Sequence, residues 1–485
     1  MIKVINSLVV WKELFLTLVF ILLSSSIALN RQYLIAVSLY VIGLWFISKN
    51  LGRALWISYV TNFLFFKAAY FFEKINYQVN FLDLGNSEVY SSWFVNYSDM
   101  LIIFLIYWVW RNKKKLNLFG PAILVNRKVE ILMLAILGLG FLATSFSPMP
   151  GVSMFGLIQL LKFFVVFNLA RALLRPLKLS SITLGILAIF VLVNSVLIVV
   201  QKIKGGPLGI AIESENRFVP YGIFSDENIG LYRPGGMTTS PNLTASILGM
   251  FIPILFIIGA TKNRYNNVIT WTMLLISTAA LVFTASRYVW IVTAITIYFS
   301  FRYLKKAGIM YLPDLVARYM KPLMICFFIL LGPFIFNRII TFGKVFEKQG
   351  GGIYRWHHIV MAWDFMKNNL FGIGLDVYQY EIPNRFDPEF FFSDASPPHN
   401  LFAEIGVGFG IFGIPLFVSL FYEITKEKFA GLRRRYHPLV HGVGALMISY
   451  ILISMAHPWM FARPIAELFW VFAGYVYNNE KIITV

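Results

Sequence analysis

The chain consists largely of long apolar stretches joined by short polar segments. Most of these stretches approach the roughly 17 to 25 residues that an α-helix needs to cross a bilayer. Lipid offers the backbone no hydrogen-bond partner, so the spanning stretches are expected to be helical. We predict spans near residues 9–29, 33–48, 54–72, 98–110, 129–147, 152–170, 180–201, 241–260, 267–283, 286–303, 320–337, 400–422, 440–456 and 463–478. The predicted fold is an all-α polytopic membrane protein of about 12 to 14 transmembrane helices, forming a single integral membrane domain over residues 1–485.

The composition excludes an ordinary soluble globular protein. Hydrophobic residues make up 58% of the chain and charged residues only 13%, which is far from the soluble average. The one cysteine, Cys326, lies in an apolar run, so an internal disulfide is impossible and the thiol is expected to pack. The first stretch ends in Ser24-Ser25-Ser26 and resembles a signal peptide, but the later spans favour an uncleaved first helix.

The basic residues predict the orientation, because Lys and Arg in short loops stay in the cytoplasm during insertion. With a cytoplasmic N-terminus, most of the 42 basic residues fall on inner segments, including Lys113-Lys114-Lys115 and Arg433-Arg434-Arg435. The long connection 73–99 and the loops 203–240 and 338–399 then lie on the periplasmic side. Basic loops that face anionic lipid account for the net charge of +19, so we predict no nucleic-acid partner.

The loop 338–399 contains a predicted helix from Arg355 to Asn369. Its apolar residues recur at helical spacing and are Trp356, Ile359, Val360, Trp363 and Met366. This pattern is typical of an amphipathic helix that lies along the membrane surface. The preceding Gly350-Gly351-Gly352 predicts a hinge, and both a mobile lid and a simple cap on the bundle fit the pattern.

Five arginines map to the outer side under this topology. They are Arg217, Arg233, Arg287, Arg355 and Arg463. An arginine within or near the membrane is costly unless it pairs with a carboxylate, reaches water or binds an anion. Snorkelling or ion pairing explains many such arginines, but Arg287 and Arg355 are the stronger candidates for anion binding.

Two predicted helix starts face the same side. Ser240-Pro241-Asn242 has an N-cap residue followed by proline in the first turn, and Asn400 opens a helix after two prolines. The N–H groups and positive dipole ends of these helices would add to the arginines. Together they predict a site for an anion of diphosphate size, in which Asn242 and Asn400 contact the substrate.

His399 lies beside this predicted site. A neutral imidazole there could accept a proton from an attacking hydroxyl, although a lone histidine is more often structural. Glu404 lies in the same helix and could orient His399 or pair with an arginine. His357 and His358 are adjacent and point to different helix faces, which argues against a metal pair, and His457 is ambiguous.

The sequence has no Walker loop, DxD-type cluster or Gly-rich dinucleotide turn. A nucleotide-sugar or ATP-driven enzyme therefore lacks its usual parts, and no metal or cofactor is predicted.

Several short motifs resemble the O-antigen ligase and polymerase superfamily of bacterial polysaccharide assembly. The resemblance covers about residues 230 to 422, and its specificity lies in the order of the motifs. They are Tyr232-Arg233-Pro234-Gly235-Gly236, Ser240-Pro241-Asn242-Leu243-Thr244-Ala245, Thr284-Ala285-Ser286-Arg287, Tyr354-Arg355-Trp356, Asn369-Leu370-Phe371-Gly372-Ile373-Gly374-Leu375 and Pro398-His399-Asn400-Leu401-Phe402-Ala403-Glu404-Ile405-Gly406.

This resemblance implies a metal-independent glycosyltransferase of the bacterial inner membrane with a periplasmic active face. Such enzymes transfer a glycan from an undecaprenyl-diphosphate carrier to an acceptor hydroxyl. Carried over to this sequence, Arg287 and Arg355 would hold the diphosphate, and His399 would be the general base. Arg233 or Arg217 would contact phosphate or sugar.

The motifs leave the acceptor open. A second lipid-linked glycan implies an O-antigen polymerase, lipid A-core implies a ligase, and a protein serine or threonine implies an O-oligosaccharyltransferase. The number of predicted spans favours the polymerase, with membrane lipids and a chain-length regulator as further partners. A transporter of lipid-linked glycans is the alternative of another class, but transporters place charges near the membrane midplane, whereas these arginines gather at one outer edge.

Overall fold

The computed structural model describes residues 8–24, 30–65, 97–114, 116, 127–174, 176–210, 232–238, 240–261, 267–311, 351–382, 398–430, 438–457 and 465–477, with isolated positions at 318, 329, 332, 335 and 336. The predicted site residues Arg217 and Arg463 lie outside the described residues. So does the predicted span 320–337, apart from the isolated positions 329, 332, 335 and 336.

The described ranges contain sixteen helices and no β-strand. In chain order they are α1 (Leu8–Ser24), α2 (Asn30–Ser48), α3 (Leu51–Phe65), α4 (Tyr97–Arg111), α5 (Arg127–Ser145), α6 (Pro150–Leu173), α7 (Ser180–Lys204), α8 (Pro241–Gly259), α9 (Asn267–Phe283), α10 (Arg287–Lys306), α11 (Gly351–Asn368), α12 (Tyr378–Glu381), α13 (Leu401–Phe409), α14 (Gly413–Ala430), α15 (Pro438–Ser454) and α16 (Ile465–Tyr477). Within these ranges, four helices are long and apolar enough to cross a membrane, namely α5 to α8. The prediction of an all-α polytopic membrane protein is confirmed, whereas the loop boundaries stay predictions.

α8 lies at the centre of one half of the bundle and packs against α9, α10 and α15. It begins at Pro241 after the N-cap Ser240, whose side chain accepts a hydrogen bond from the backbone N–H of Asn242. The N-termini of α8 and α10 and the C-termini of α9 and α15 approach one another, and the candidate site lies at that end.

The predicted span 400–422 is divided in the structure. α13 ends at Phe409, its C-cap Gly410 has a φ of 70°, and α14 begins at Gly413. A Cβ on Gly410 would come within 1.8 Å of the carbonyl oxygen of Leu370, so only glycine allows the loop after α11 to pack here. The uniform hydropathy of the run does not reveal this contact between distant segments.

The predicted helix of the outer loop is α11, but its faces differ from the expectation. The helix starts at Gly351, so Gly351 and Gly352 belong to its first turn and are not a hinge before it. His358, Ala362, Phe365 and Met366 are buried, whereas Trp356, Val360 and Trp363 are exposed. The predicted apolar face therefore divides into a side packed on α13 and an outward stripe of Trp356, Val360 and Trp363.

We predict that this outward stripe lies in the membrane interface, because tryptophan is enriched at that depth. In a Cys326→Ala background, a nitroxide on Trp363→Cys should be more accessible to oxygen than to a water-soluble nickel chelate. The matched control is Asp364→Cys, an exposed polar neighbour on α11, whose label should show the opposite preference. Equal exposure of both labels to the nickel chelate would place α11 in water and contradict the prediction.

Candidate functional site

The loop before α8 is held against α7 by side-chain to backbone hydrogen bonds. The Gln201 side chain accepts from the N–H of Gly236 at 2.9 Å and donates to its carbonyl at 3.3 Å. Asn194 Oδ1 accepts from the N–H of Met237 at 2.8 Å. Gly236 has a φ of 64°, and a Cβ there would lie 2.4 Å from Asn194 Oδ1. These bonds fix the backbone that carries Arg233.

Arg233 ties two helix ends together. Its Nε donates to the carbonyl of Thr284, just after α9, at 2.9 Å, and Nη2 donates to Asn242 Oδ1, in the first turn of α8, at 2.8 Å. The predicted residues Arg233 and Asn242 are therefore brought together. These two hydrogen bonds also show that part of the Arg233 guanidinium has a structural role, which the sequence motif alone does not reveal.

The Thr284–Arg287 motif forms the turn between α9 and α10. Ala285 adopts a φ of 56°, and α10 begins at Arg287, which is half-buried. The next residue, Tyr288, donates its hydroxyl proton to the carbonyl of Leu452 at 2.6 Å and interacts electrostatically with Arg355. The turn thus places Arg287 beside Tyr288, which connects α10 with α15 and with Arg355.

Arg355 lies on the first half of α11 and is partly buried. Burial lowers the pKa of its guanidinium. Among the residues that the structure describes, no carboxylate forms an ion pair with Arg355. A partly buried cation without such a partner is a candidate anion ligand.

His358 is fully buried one turn after Arg355. Its Nδ1 lies 3.0 Å from the hydroxyl oxygen of Tyr378, and that hydroxyl donates to the backbone carbonyl of His358 at 3.1 Å. Burial, and then the adjacent His357, lower the pKa of His358 to about 4. The imidazole is therefore neutral at pH 7.

The ring of His399 lies edge to face with that of His358, with 5.7 Å between the ring centroids. Burial, followed by the electrostatic interactions with Arg355 and His358, lowers the pKa of His399 to about 3. His399 is thus neutral at pH 7 and able to accept a proton, which is the state that the sequence argument requires.

Asn400 has two structural tasks. Its Oδ1 accepts the N–H groups of Phe402 at 2.9 Å and Ala403 at 3.2 Å, as predicted for the N-cap of α13. Its Nδ2 donates to the carbonyl of Met455, after α15, at 2.9 Å. The Asn400 side chain therefore holds the adjacent His399 against the end of α15. The structure shows these hydrogen bonds, whereas contact of Asn400 with a substrate stays a prediction.

His457 is the site residue that sequence reasoning left ambiguous. It is 2% exposed, and its ring centroid lies 6.4 Å from that of Tyr288. Burial, then Arg355, His399 and Arg233, lower its pKa. The only sequence signal for His457 was its position at the predicted outer end of the span 440–456. Its place in the candidate site therefore depends on how the helices pack.

Glu404 lies in the first turn of α13, where it interacts electrostatically with Tyr450. It lines a small crevice together with Asp376, Tyr378 and Pro398, next to the histidines. Among the described residues, no group of three or more His, Cys, Asp or Glu side chains is arranged to hold a metal ion.

The assembled site combines partly buried guanidiniums with neutral imidazoles and the N-termini of α8 and α13. Guanidiniums and helix N-termini bind phosphate oxygens well. A neutral imidazole beside them can take a proton from a hydroxyl that attacks a group attached to that phosphate. The arrangement therefore suits transfer of a group from a phosphate ester to a hydroxyl.

Comparison with known proteins supports this chemistry. The family model described as O-antigen ligase matches residues 271–418, a range that contains Arg287, Arg355, His358 and His399 but neither Arg233 nor His457. No curated protein matches the chain. Taken with the apolar helices, the match identifies a multi-pass membrane protein whose residues 271–418 are similar to the O-antigen ligase family.

Proposed function

We propose that this protein transfers a glycan from a polyprenyl-diphosphate carrier to an acceptor hydroxyl at the outer face of the bacterial inner membrane. The observation that carries the proposal is Arg355, a partly buried guanidinium next to neutral His399 and His457. The positive charge of this site is neutralised only when an anion binds, and a diphosphate supplies that anion.

The proposed reaction needs no external energy source. The acceptor hydroxyl attacks the anomeric carbon of the donor glycan while His399 takes the hydroxyl proton. The bond between the anomeric carbon and the phosphate oxygen breaks, and its electron pair stays on the diphosphate. Arg355 and Arg287 stabilise the developing charge there, and the proton then leaves His399 for water or the released diphosphate.

We further propose that undecaprenyl diphosphate is the carrier and that a second lipid-linked glycan is the acceptor, which makes the protein an O-antigen polymerase. The many predicted spans support the polymerase over the ligase. A ligase would use lipid A-core as the acceptor instead, and the same assay with different acceptors separates the two.

We predict that His399→Ala lowers glycan transfer by about 100-fold or more, because general base catalysis contributes at least that much. The measurement uses purified protein in nanodiscs with undecaprenyl-diphosphate-linked repeat units, and products are resolved by length. A ladder that depends on His399 supports the polymerase. Transfer only after addition of lipid A-core supports the ligase.

The matched control is His441→Ala. His441 lies at the other end of α15, where its ring is 3.8 Å from that of Tyr303, and its loss should leave transfer close to wild type. A His399→Ala protein that keeps wild-type transfer would refute the base assignment. Transport of lipid-linked glycan across the bilayer without any transfer would support the transporter.

We predict that Arg355→Ala weakens binding of undecaprenyl diphosphate by about 10- to 100-fold, since a hydrogen bond to a charged group contributes roughly 1.5–3 kcal/mol. Arg355→Lys should recover only part of the affinity, because lysine lacks the planar fork. Arg302→Ala, a change to an exposed arginine on α10, is the control. Microscale thermophoresis in detergent measures the three affinities, and wild-type affinity of Arg355→Ala would contradict the anion site.

The pH dependence should reflect the lowered pKa of His399, which is about 3 in the free protein. The base is neutral above that value, so we predict that kcat/KM shows no acidic limb from His399 between pH 5 and 8. Bound diphosphate favours imidazolium, so the acidic limb of kcat should lie at higher pH than that of kcat/KM. Steady-state rates across this range test both statements, and an acidic limb of kcat/KM centred near pH 6.5 would contradict them.

A further inference from the structure

Tyr378 lies within hydrogen-bond distance of two polar atoms of His358. Its hydroxyl oxygen is 3.1 Å from the backbone carbonyl oxygen of His358 and 3.0 Å from Nδ1. A phenol has a single proton, and in a hydrogen bond to the carbonyl it must be the donor. When the proton goes to the carbonyl, Nδ1 donates to the phenol oxygen, so the neutral imidazole carries its proton on Nδ1 and Nε2 keeps its lone pair.

The surroundings hold this arrangement in place. Tyr378 is 3% exposed, and its ring packs edge to face against Phe365 with 5.6 Å between centroids. His358 itself is fully buried. A nitrogen that keeps its lone pair in a buried site is expected to accept a hydrogen bond. The neighbouring ring of His399, 5.7 Å away between centroids, is a polar group that can donate an N–H.

We propose that His358 is a positioning residue for His399, and that Tyr378 acts through it. His358 Nε2 accepts an N–H of His399, which leaves the other nitrogen of His399 with its lone pair directed at the acceptor hydroxyl. No carboxylate is needed for this task, in contrast to an Asp–His pair. The inference depends on the proposed function, since it assigns the orientation of that proposed base.

The test removes only the hydroxyl oxygen of Tyr378. Tyr378→Phe keeps the ring that packs on Phe365 but no longer fixes the His358 proton on Nδ1, so part of the His358 population changes tautomer. We expect kcat to fall by about tenfold, in the range seen when a supporting hydrogen bond is removed, while KM for the lipid-linked donor changes less than about twofold. A purely structural role would lower kcat only together with stability.

A second variant separates tautomer control from packing. Asparagine at position 358 keeps a donor in the place of Nδ1 but has no acceptor in the place of Nε2. His358→Asn should therefore lose at least as much kcat as Tyr378→Phe. The double variant should lose no more than His358→Asn alone, because both changes remove the same interaction.

The control is Tyr40→Phe, which removes a buried hydroxyl that hydrogen-bonds Thr17 and Thr61 elsewhere in the chain. It should lower the unfolding midpoint by an amount similar to Tyr378→Phe and leave kcat unchanged. If both variants lower kcat equally, the effect of Tyr378 is general destabilisation and the proposal fails.

Solid-state NMR of protein with ¹⁵N-labelled histidine reads the tautomer without any enzymatic activity. The chain has six histidines, and His358→Asn identifies the signals of His358. We expect protonated Nδ1 in wild type and a growing share of protonated Nε2 in Tyr378→Phe. Protonated Nε2 in wild type would overturn the proposal, as would an unchanged kcat in Tyr378→Phe.

The outcomes for the two proposals are distinguishable. Wild-type protein that transfers no glycan to any acceptor refutes the proposed function, and the role of His358 in catalysis fails with it. If wild-type protein transfers glycan and the Tyr378→Phe and His358→Asn variants are as active as wild type, only the role of His358 is refuted.

Discussion

The candidate site depends on the backbone carbonyls that helices leave unpaired at their C-terminal ends. In a membrane protein such groups must find partners within the protein. Arg233 donates to the carbonyl of Thr284 after α9, while Tyr288 and Asn400 donate to those of Leu452 and Met455 at the end of α15. The side chains that satisfy these carbonyls also bring α8, α9, α10, α13 and α15 together, so one physical requirement assembles the site.

The electrostatics of this site favour binding of an anion. Two arginines and three histidines lie close together, and the pKa values of all three histidines are lowered. Neutral histidines avoid repulsion with the guanidiniums and keep their lone pairs. Under the proposed function, a bound diphosphate would raise these pKa values, so substrate binding would prepare His399 to take a proton and hold it briefly.

α11 joins the candidate site to an exposed apolar stripe. One side of the helix carries His358 and packs with Phe365 and Met366 against α13, whereas the other presents Trp356 and Trp363 outward. The close approach at Gly410 fixes the loop after α11 onto the break between α13 and α14. Under the proposed function, the diphosphate of the carrier lipid lies near the headgroups, and a helix anchored at that depth would hold Arg355 beside it.

The amino-acid pattern predicts the fold class, the N-caps at Ser240 and Asn400, and most of the candidate residues. Hydropathy and helix capping are local properties, so they can be read from neighbouring residues. The packing of the helices, in contrast, brings His457 and His358 to His399, places Arg233 against a helix end, and breaks the run after Asn400 at Gly410. Each of these depends on contacts between segments far apart in the chain, and a lowered pKa depends on burial that no local pattern records.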